Sequence, residues 1–188
     1  MKRLVAVAAA VGLLAVAGCS DLGSTDDGLD YVGGDGQIVT IPPAEREAPV
    51  EASGPAIDGT DLDLADYRGR VVVANLWWSG CGPCLAEMPL LVDVVGDTGG
   101  DAVLLGINTR DSSPENALSF MRGAEVDFPS FYDQGGEVLL EFPRIRPNAI
   151  PSTAVLDRQG RLAALVTGEV TSPVTLGDVI ADVVAEDD

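Results

Sequence analysis

Two cysteines separated by two residues, Cys81 and Cys84, are the residues of this 188-residue chain best suited to chemistry. A thiolate attacks disulfides, and a second thiol nearby can resolve the mixed disulfide that forms. An apolar run at residues 71–76 precedes the pair, and apolar residues at helical spacing follow it. The spacing therefore predicts a strand, a turn that carries Cys81, and a helix that carries Cys84.

The predicted start of this helix favours a reactive first cysteine. Unpaired amide groups and the helix dipole stabilise negative charge at a helix N-terminus. We therefore expect the thiol of Cys81 to ionise more readily than an ordinary thiol. Pro83 suits the first helical turn, where its missing N–H group is not needed.

A Cys-x-x-Cys pair can have three other roles. A zinc site would need further ligands, but the chain has no histidine and its one other cysteine is Cys19. Covalent haem attachment would need a histidine directly after the pair, where Leu85 stands. A structural disulfide remains the alternative to redox chemistry.

Residues 77–89 resemble the active-site segment of the thioredoxin superfamily, and more closely its TlpA/ResA-like branch of membrane-tethered extracytoplasmic reductases. The pattern of that branch is matched at Trp77, Cys81, Cys84, Glu87 and Pro89. The Gly-Pro pair between the cysteines resembles thioredoxin itself. One position departs from the family, which usually has an aromatic residue directly before the first cysteine, where this chain has Gly80. The shape of the substrate groove is therefore left open.

The resemblance implies roles for several residues of this segment. Cys81 would attack a substrate disulfide and Cys84 would resolve the intermediate. Glu87 would tune proton transfer, because a partly buried carboxyl with a raised pKa can accept a proton from Cys84; a solvated helix carboxylate is the alternative. Trp77 would lie at the edge of the active site, with simple core packing as the alternative.

A second segment, Ile150-Pro151, precedes a predicted strand. The resemblance implies that Pro151 is cis and faces Cys81, and that Ile150 offers backbone groups to a bound peptide. The expected substrate-binding residues are thus Trp77, Gly80, Ile150 and Pro151. No cofactor and no metal are expected.

The amino end has the pattern of a signal peptide, predicted over residues 1–18. Basic residues open it, and the apolar stretch at 4–17 is shorter than the about 20 residues that span a bilayer. Residues 16–19 resemble a bacterial lipobox, which implies cleavage before Cys19 and its lipidation. A secreted protein with a free cysteine is the alternative. Lipidation of one of the three cysteines leaves one pair.

The charge of the chain excludes some partners. The net charge is −19, and removal of residues 1–18 takes away two basic residues, which makes it −21. Such a negative surface argues against nucleic acid and against electrostatic binding to anionic lipid. It also favours solubility.

Composition and periodicity divide the remaining chain in two. Residues 19–51 are rich in Gly, Asp, Ser and Pro and are predicted to form a flexible tether, in which 37–41 could add a short strand. Residues 52–188 are predicted to form a domain of the α/β class, with a mixed central sheet flanked by helices, and by the resemblance this is a thioredoxin-like domain. The last helix should carry an apolar stripe that belongs to the core.

The expected function is that of an extracytoplasmic thiol-disulfide oxidoreductase, lipid-anchored to the bacterial cell membrane. By the resemblance it would reduce disulfides of exported proteins, with apocytochrome c in cytochrome c maturation as one candidate, and a membrane electron donor would recharge it. A disulfide-forming oxidase is the first alternative. A peroxiredoxin and a non-enzymatic surface binding module are further alternatives.

Overall fold

The computed structural model of the protein describes residues 29–30 and 37–186. The predicted signal peptide at 1–18 and the predicted lipidation site Cys19 lie outside the described residues. Within the described ranges, no helix is both long enough and apolar enough to cross a membrane.

The described residues form nine strands and four α-helices. The strands are β1 (Leu29–Asp30), β2 (Gln37–Thr40), β3 (Ser53–Pro55), β4 (Asp61–Asp63), β5 (Val71–Trp77), β6 (Ala102–Asn108), β7 (Ser130–Tyr132), β8 (Ser152–Leu156) and β9 (Leu162–Thr167). The helices are α1 (Gly82–Gly96), α2 (Pro114–Gly123), α3 (Glu137–Leu140) and α4 (Pro173–Val184).

The main sheet has the strand order β1-β2-β9-β8-β5-β6-β7. Strands β5, β6 and β7 run parallel to one another, whereas β5, β8, β9 and β2 pair antiparallel in succession. Strands β3 and β4 form a separate two-stranded sheet. The predicted α/β class with a mixed sheet is therefore confirmed.

Strand β5 lies inside the sheet and is buried along its whole length. Val71 and Val73 pack into the core cluster that contains the buried residues of α1 and α4. Val72 and Ala74 point to the opposite face, where a second cluster contains the buried residues of α3. Because both faces of the strand are covered, its sequence is a continuous apolar run rather than an alternating one.

The folded domain begins before the predicted boundary at residue 52. Strand β2 pairs antiparallel with β9 over its four residues, which confirms the predicted short strand. Ile41 and Val50 are buried in the same core cluster as Leu76. The prediction of a flexible tether is therefore wrong for residues 37–51, which pack on the domain.

A buried arginine fixes this segment to the far end of the chain. The side chain of Arg46 is 2% exposed and pairs with Asp157, at 3.0 Å, and with Glu186. Its Nε also donates a hydrogen bond of 2.9 Å to the carbonyl oxygen of Ile41. The carboxylates hold the pKa of Arg46 above its ordinary value, the Glu186 hydrogen bond being the largest cause. Residues 41–46 are thus joined to the turn after β8 and to the end of α4.

Candidate active site

The two cysteines form a disulfide at the start of α1. Cys81 is the N-cap residue, and its sulfur accepts a 3.1 Å hydrogen bond from the backbone N–H of Cys84. Cys81 retains 7% of its surface, whereas Cys84 is fully buried. Cys81 is therefore the more accessible residue of the pair. The predicted strand, turn and helix are confirmed.

The buried face of α1 begins with Cys84 and includes a carboxyl group. Its buried residues are Cys84, Glu87, Met88, Leu91, Val94 and Val95. Leu85, an apolar residue of the first helical turn, is 43% exposed. Because residues three apart on a helix are neighbours, Glu87 lies on the same face as Cys84, one turn further into the core.

Glu87 is 1% exposed, so the alternative of a solvated helix carboxylate is wrong. Its Oε1 accepts a 2.8 Å hydrogen bond from Nδ2 of Asn75, and its Oε2 accepts a 2.7 Å bond from the N–H of Val170. Burial raises the pKa of Glu87 from 4.5 to about 7, although both hydrogen bonds act to lower it. The carboxyl can therefore gain or lose a proton near neutral pH.

Asn75 is a site residue that the sequence reasoning missed. It lies on β5, is fully buried, and donates a second hydrogen bond of 3.1 Å to the hydroxyl of Thr153 on β8. Its Oδ1 has no hydrogen-bond partner among residues 37–186. The signal in the sequence was a polar residue inside an apolar strand, because a buried polar group needs a hydrogen-bond partner.

The second predicted segment lies at the same end of the sheet. The Ile150–Pro151 bond is cis, as the resemblance implied. Ser152 pairs with Leu76 in the antiparallel ladder of β8 and β5. The preceding residue, Pro151, therefore lies at the carboxyl end of β5, where the turn to Cys81 begins. Pro151 is buried and Ile150 is half-buried. Their predicted contact with substrate remains a prediction.

Trp77 does not lie at the edge of the site. It is fully buried, its indole N–H donates a 3.1 Å hydrogen bond to the hydroxyl of Ser130, and its ring stacks on Phe120 at 5.5 Å between centroids. As the last residue of β5 it faces the core cluster of α1. The prediction that Trp77 binds substrate is therefore wrong, and core packing is its role.

The next residue, Trp78, is half-buried and packs against the cluster that contains both cysteines. Its ring lies over Gly80, which is exposed. The predicted site residue Gly80 thus lies beside the ring of Trp78, a residue to which the sequence reasoning assigned no role. The two adjacent tryptophans were the sequence signal for an aromatic contact here. Which of them faces the core depends on the residue at which β5 ends.

Asp111 holds the turn before Cys81 in place. It is 3% exposed, and its carboxylate accepts hydrogen bonds from the N–H of Ser79, at 3.0 Å, from the hydroxyl of Ser79, and from Nδ2 of Asn108, at 2.7 Å. The sequence reasoning assigned no role to residues 108–111. Their position after the strand next to β5 was the signal, since sites form at the carboxyl ends of parallel strands.

A cysteine pair at the N-terminus of a helix, beside a buried carboxyl and a cis-proline, defines a thioredoxin-like site. The family model described as Redoxin matches residues 43–180. The chain therefore belongs to the Redoxin family. The resemblance to the thioredoxin superfamily and its TlpA/ResA-like branch is confirmed.

Solved structures with the same fold support this membership. The chain is similar to a DsbF homologue from Corynebacterium diphtheriae, at 30% identity and a TM-score of 0.73, over 82% of this chain and 98% of that one. It is also similar to a secreted thiol-disulfide isomerase from Corynebacterium glutamicum, at 30% identity and a TM-score of 0.74, over 84% and 98%. The predicted thioredoxin fold is confirmed.

Two relatives are named for thiol-disulfide chemistry. The thiol:disulfide interchange protein HelX of Rhodobacter capsulatus is 32% identical over 135 residues, which are 70% of this chain and 69% of HelX. The thiol-disulfide oxidoreductase ResA of Bacillus thuringiensis is 26% identical over 118 residues, which are 61% of this chain. The match spans 65% of the length of that ResA.

Proposed function

We propose that this protein is a thiol-disulfide oxidoreductase that uses Cys81 and Cys84 as its redox pair. The observation that carries the proposal is the disulfide at the N-terminus of α1, in which Cys81 retains 7% of its surface and Cys84 is fully buried. The names of HelX and ResA, similar over most of the folded domain, support the same chemistry.

In the reducing direction, the reaction begins with the reduced pair. The thiolate of Cys81 attacks one sulfur of a substrate disulfide, a bond forms between Cys81 and that sulfur, and the other substrate sulfur leaves as a thiolate. The amide groups at the start of α1 favour the thiolate form of Cys81 for this step. The exposed fraction of Cys81 gives it the attacking role.

The second step closes the protein disulfide. Cys84 loses its proton and attacks the sulfur of Cys81, and the first substrate sulfur leaves as the second thiolate. Glu87 lies one turn from Cys84 on the buried face of α1, and its pKa of about 7 suits a group that accepts this proton. The substrate gains two electrons and two protons, and the protein pair becomes oxidised.

The proposed setting is the extracytoplasmic side of a bacterial cell membrane, with lipid attached to Cys19. The substrates would be disulfides of exported proteins, including apocytochrome c, and a membrane electron donor would return the pair to the reduced state. ResA and HelX among the relatives and the secreted protein of Corynebacterium glutamicum among the structures support this setting. The name of the latter also keeps disulfide formation or isomerisation as the second candidate.

Two measurements test the proposal. The full chain should reduce insulin disulfides with dithiothreitol as the electron source, and Cys81→Ala should abolish that turnover. Full turnover by Cys81→Ala would refute the proposed nucleophile. The reduction potential of the pair then decides whether the protein reduces or forms disulfides. A value of about −270 mV supports a reductase, and one of about −120 mV supports an oxidase.

A further inference from the structure

The indole ring of Trp78 fills the space next to Gly80. A Cβ atom placed on Gly80 would lie 2.3 Å from Cη2 and from Cζ3 of Trp78, and 2.9 Å from Cε3. Carbon atoms that are not bonded make their best contact at about 3.5–4.0 Å. Position 80 must therefore be glycine as long as the ring of Trp78 lies where it does.

This contact accounts for the one departure from the family pattern. The resembling branch has an aromatic side chain directly before its first cysteine, and here that position is Gly80. In this structure the ring of Trp78, two residues earlier in the chain, occupies the space into which a side chain at position 80 would extend. Of the adjacent tryptophans, Trp77 is fully buried and Trp78 keeps exposed surface, so only Trp78 can contact a bound molecule.

The two chain segments that carry the disulfide and the cis-proline contain almost no charge, although the chain has a net charge of −19. Residues 71–92 contain one charged side chain, Glu87, and it is 1% exposed. Residues 147–156 contain none. Apolar side chains with exposed surface are present in both segments, namely Leu85, which is 43% exposed, and the half-buried Ile150. These two segments therefore offer apolar contact, and the charged groups that flank them include the buried Asp111, bonded to Ser79, and Arg110, bonded to the carbonyl oxygen of Pro147.

We propose that Trp78 is the substrate-contact aromatic residue of this protein, and that it selects polypeptide disulfides with an apolar side chain next to the reacting cysteine. This inference rests on the proposed function. The ring would pack against the apolar side chain while the substrate sulfur lies at Cys81. Because the ring contacts a part of the substrate that does not react, its loss should appear in KM rather than in kcat.

The test compares two substrates with the full chain. One is a disulfide-bridged peptide with leucine beside each cysteine, and the other is the small neutral 2-hydroxyethyl disulfide. Trp78→Ala should raise KM for the leucine peptide about tenfold and should change the rate with the small disulfide much less. The control is Leu140→Ala, which removes an apolar side chain that is 78% exposed on α3 and should change neither value.

A relocated ring separates substrate contact from structural support. In the double variant Trp78→Ala, Gly80→Trp the aromatic ring returns from position 80, so KM for the leucine peptide should recover most of the loss. An unchanged KM in Trp78→Ala, or an equal loss of rate with both substrates that Gly80→Trp does not restore, would overturn the inference. Failure of the wild-type chain to reduce either disulfide would instead refute the proposed function.

Discussion

Nδ2 of Asn75 donates a 2.8 Å hydrogen bond to Oε1 of Glu87, which joins the central strand β5 to the active-site helix α1 in the core below the cysteine pair. The other carboxylate oxygen is held by the backbone N–H of Val170. Both donors are neutral, and the charge that acts on the carboxyl is the negative charge of Glu169, which raises its pKa further. Burial therefore dominates, and the pKa of Glu87 reaches about 7.

Glu87→Gln should slow the closing of the protein disulfide, because glutamine keeps the size of the side chain but cannot accept the proton of Cys84. We expect the rate of substrate release from the mixed disulfide to fall about 100-fold at pH 7, which is the scale of general base catalysis. The wild-type rate should rise with pH through about 7, and the variant should lack this inflection. Rapid-quench kinetics on Glu87→Gln and on the control Glu141→Gln, whose carboxyl is exposed, measure both features. An inflection that persists in Glu87→Gln would contradict the role.

The same carboxyl should make folding stability depend on pH. Its folded-state pKa is raised, so the folded state retains a proton that the unfolded state releases between pH 4.5 and about 7. The stabilisation from the protonated form is complete below pH 4.5, falls as pH rises, and is lost above about pH 7. Its size is ~3 kcal/mol. The free energy of unfolding of Glu87→Gln minus that of the wild type should therefore rise by that amount from pH 4.5 to 8 in urea titrations, and a constant difference would contradict the raised pKa.

Asn75→Ala should move the pH dependence of the closing step upward. The amide of Asn75 lowers the pKa of Glu87 through its hydrogen bond, so its removal should raise that pKa above about 7. A merely structural role would reduce stability and leave the midpoint of the rate profile in place. Asn116→Ala removes an exposed amide on α2 and serves as the control. An unchanged midpoint of the rate profile in Asn75→Ala would contradict a positioning role for Asn75.

Removal of residues 37–51 should destabilise the domain. These residues supply β2, the buried Ile41 and Val50, and the paired guanidinium of Arg46. A chain that begins at residue 52 should lose more than about 3 kcal/mol of unfolding free energy relative to one that begins at residue 37, since each buried aliphatic side chain alone contributes about 1.5–3 kcal/mol. Equal urea midpoints for the two chains would restore the tether interpretation for 37–51.

Local features made part of this site predictable. The apolar run of β5, the cysteine pair and the helical spacing after it lie within a few residues of one another, so sequence periodicity placed them correctly. The cis bond before Pro151 came from the family resemblance, because X–Pro bonds are cis in only about 5–6% of cases.

The residues that were missed depend on contacts between distant parts of the chain. Arg46 pairs with Glu186, 140 residues away, so the composition of its own segment gave no sign that it folds. The carboxylate of Asp111 holds Ser79, 32 residues away. Trp77 and Trp78 have identical side chains. Trp77, the last residue of β5, faces the core and is buried, whereas Trp78 keeps exposed surface.

The most direct test of the account is to trap the mixed disulfide in a Cys19→Ser background, so that the redox pair supplies the remaining thiols. Cys84→Ala should form a stable adduct with a peptide disulfide, and mass spectrometry of the digested protein should locate the bond on Cys81. Cys81→Ala should form no adduct under the same conditions, since the sulfur of Cys84 is buried. An adduct on Cys84, or equal adduct formation by the two variants, would contradict the assignment of Cys81 as the attacking sulfur.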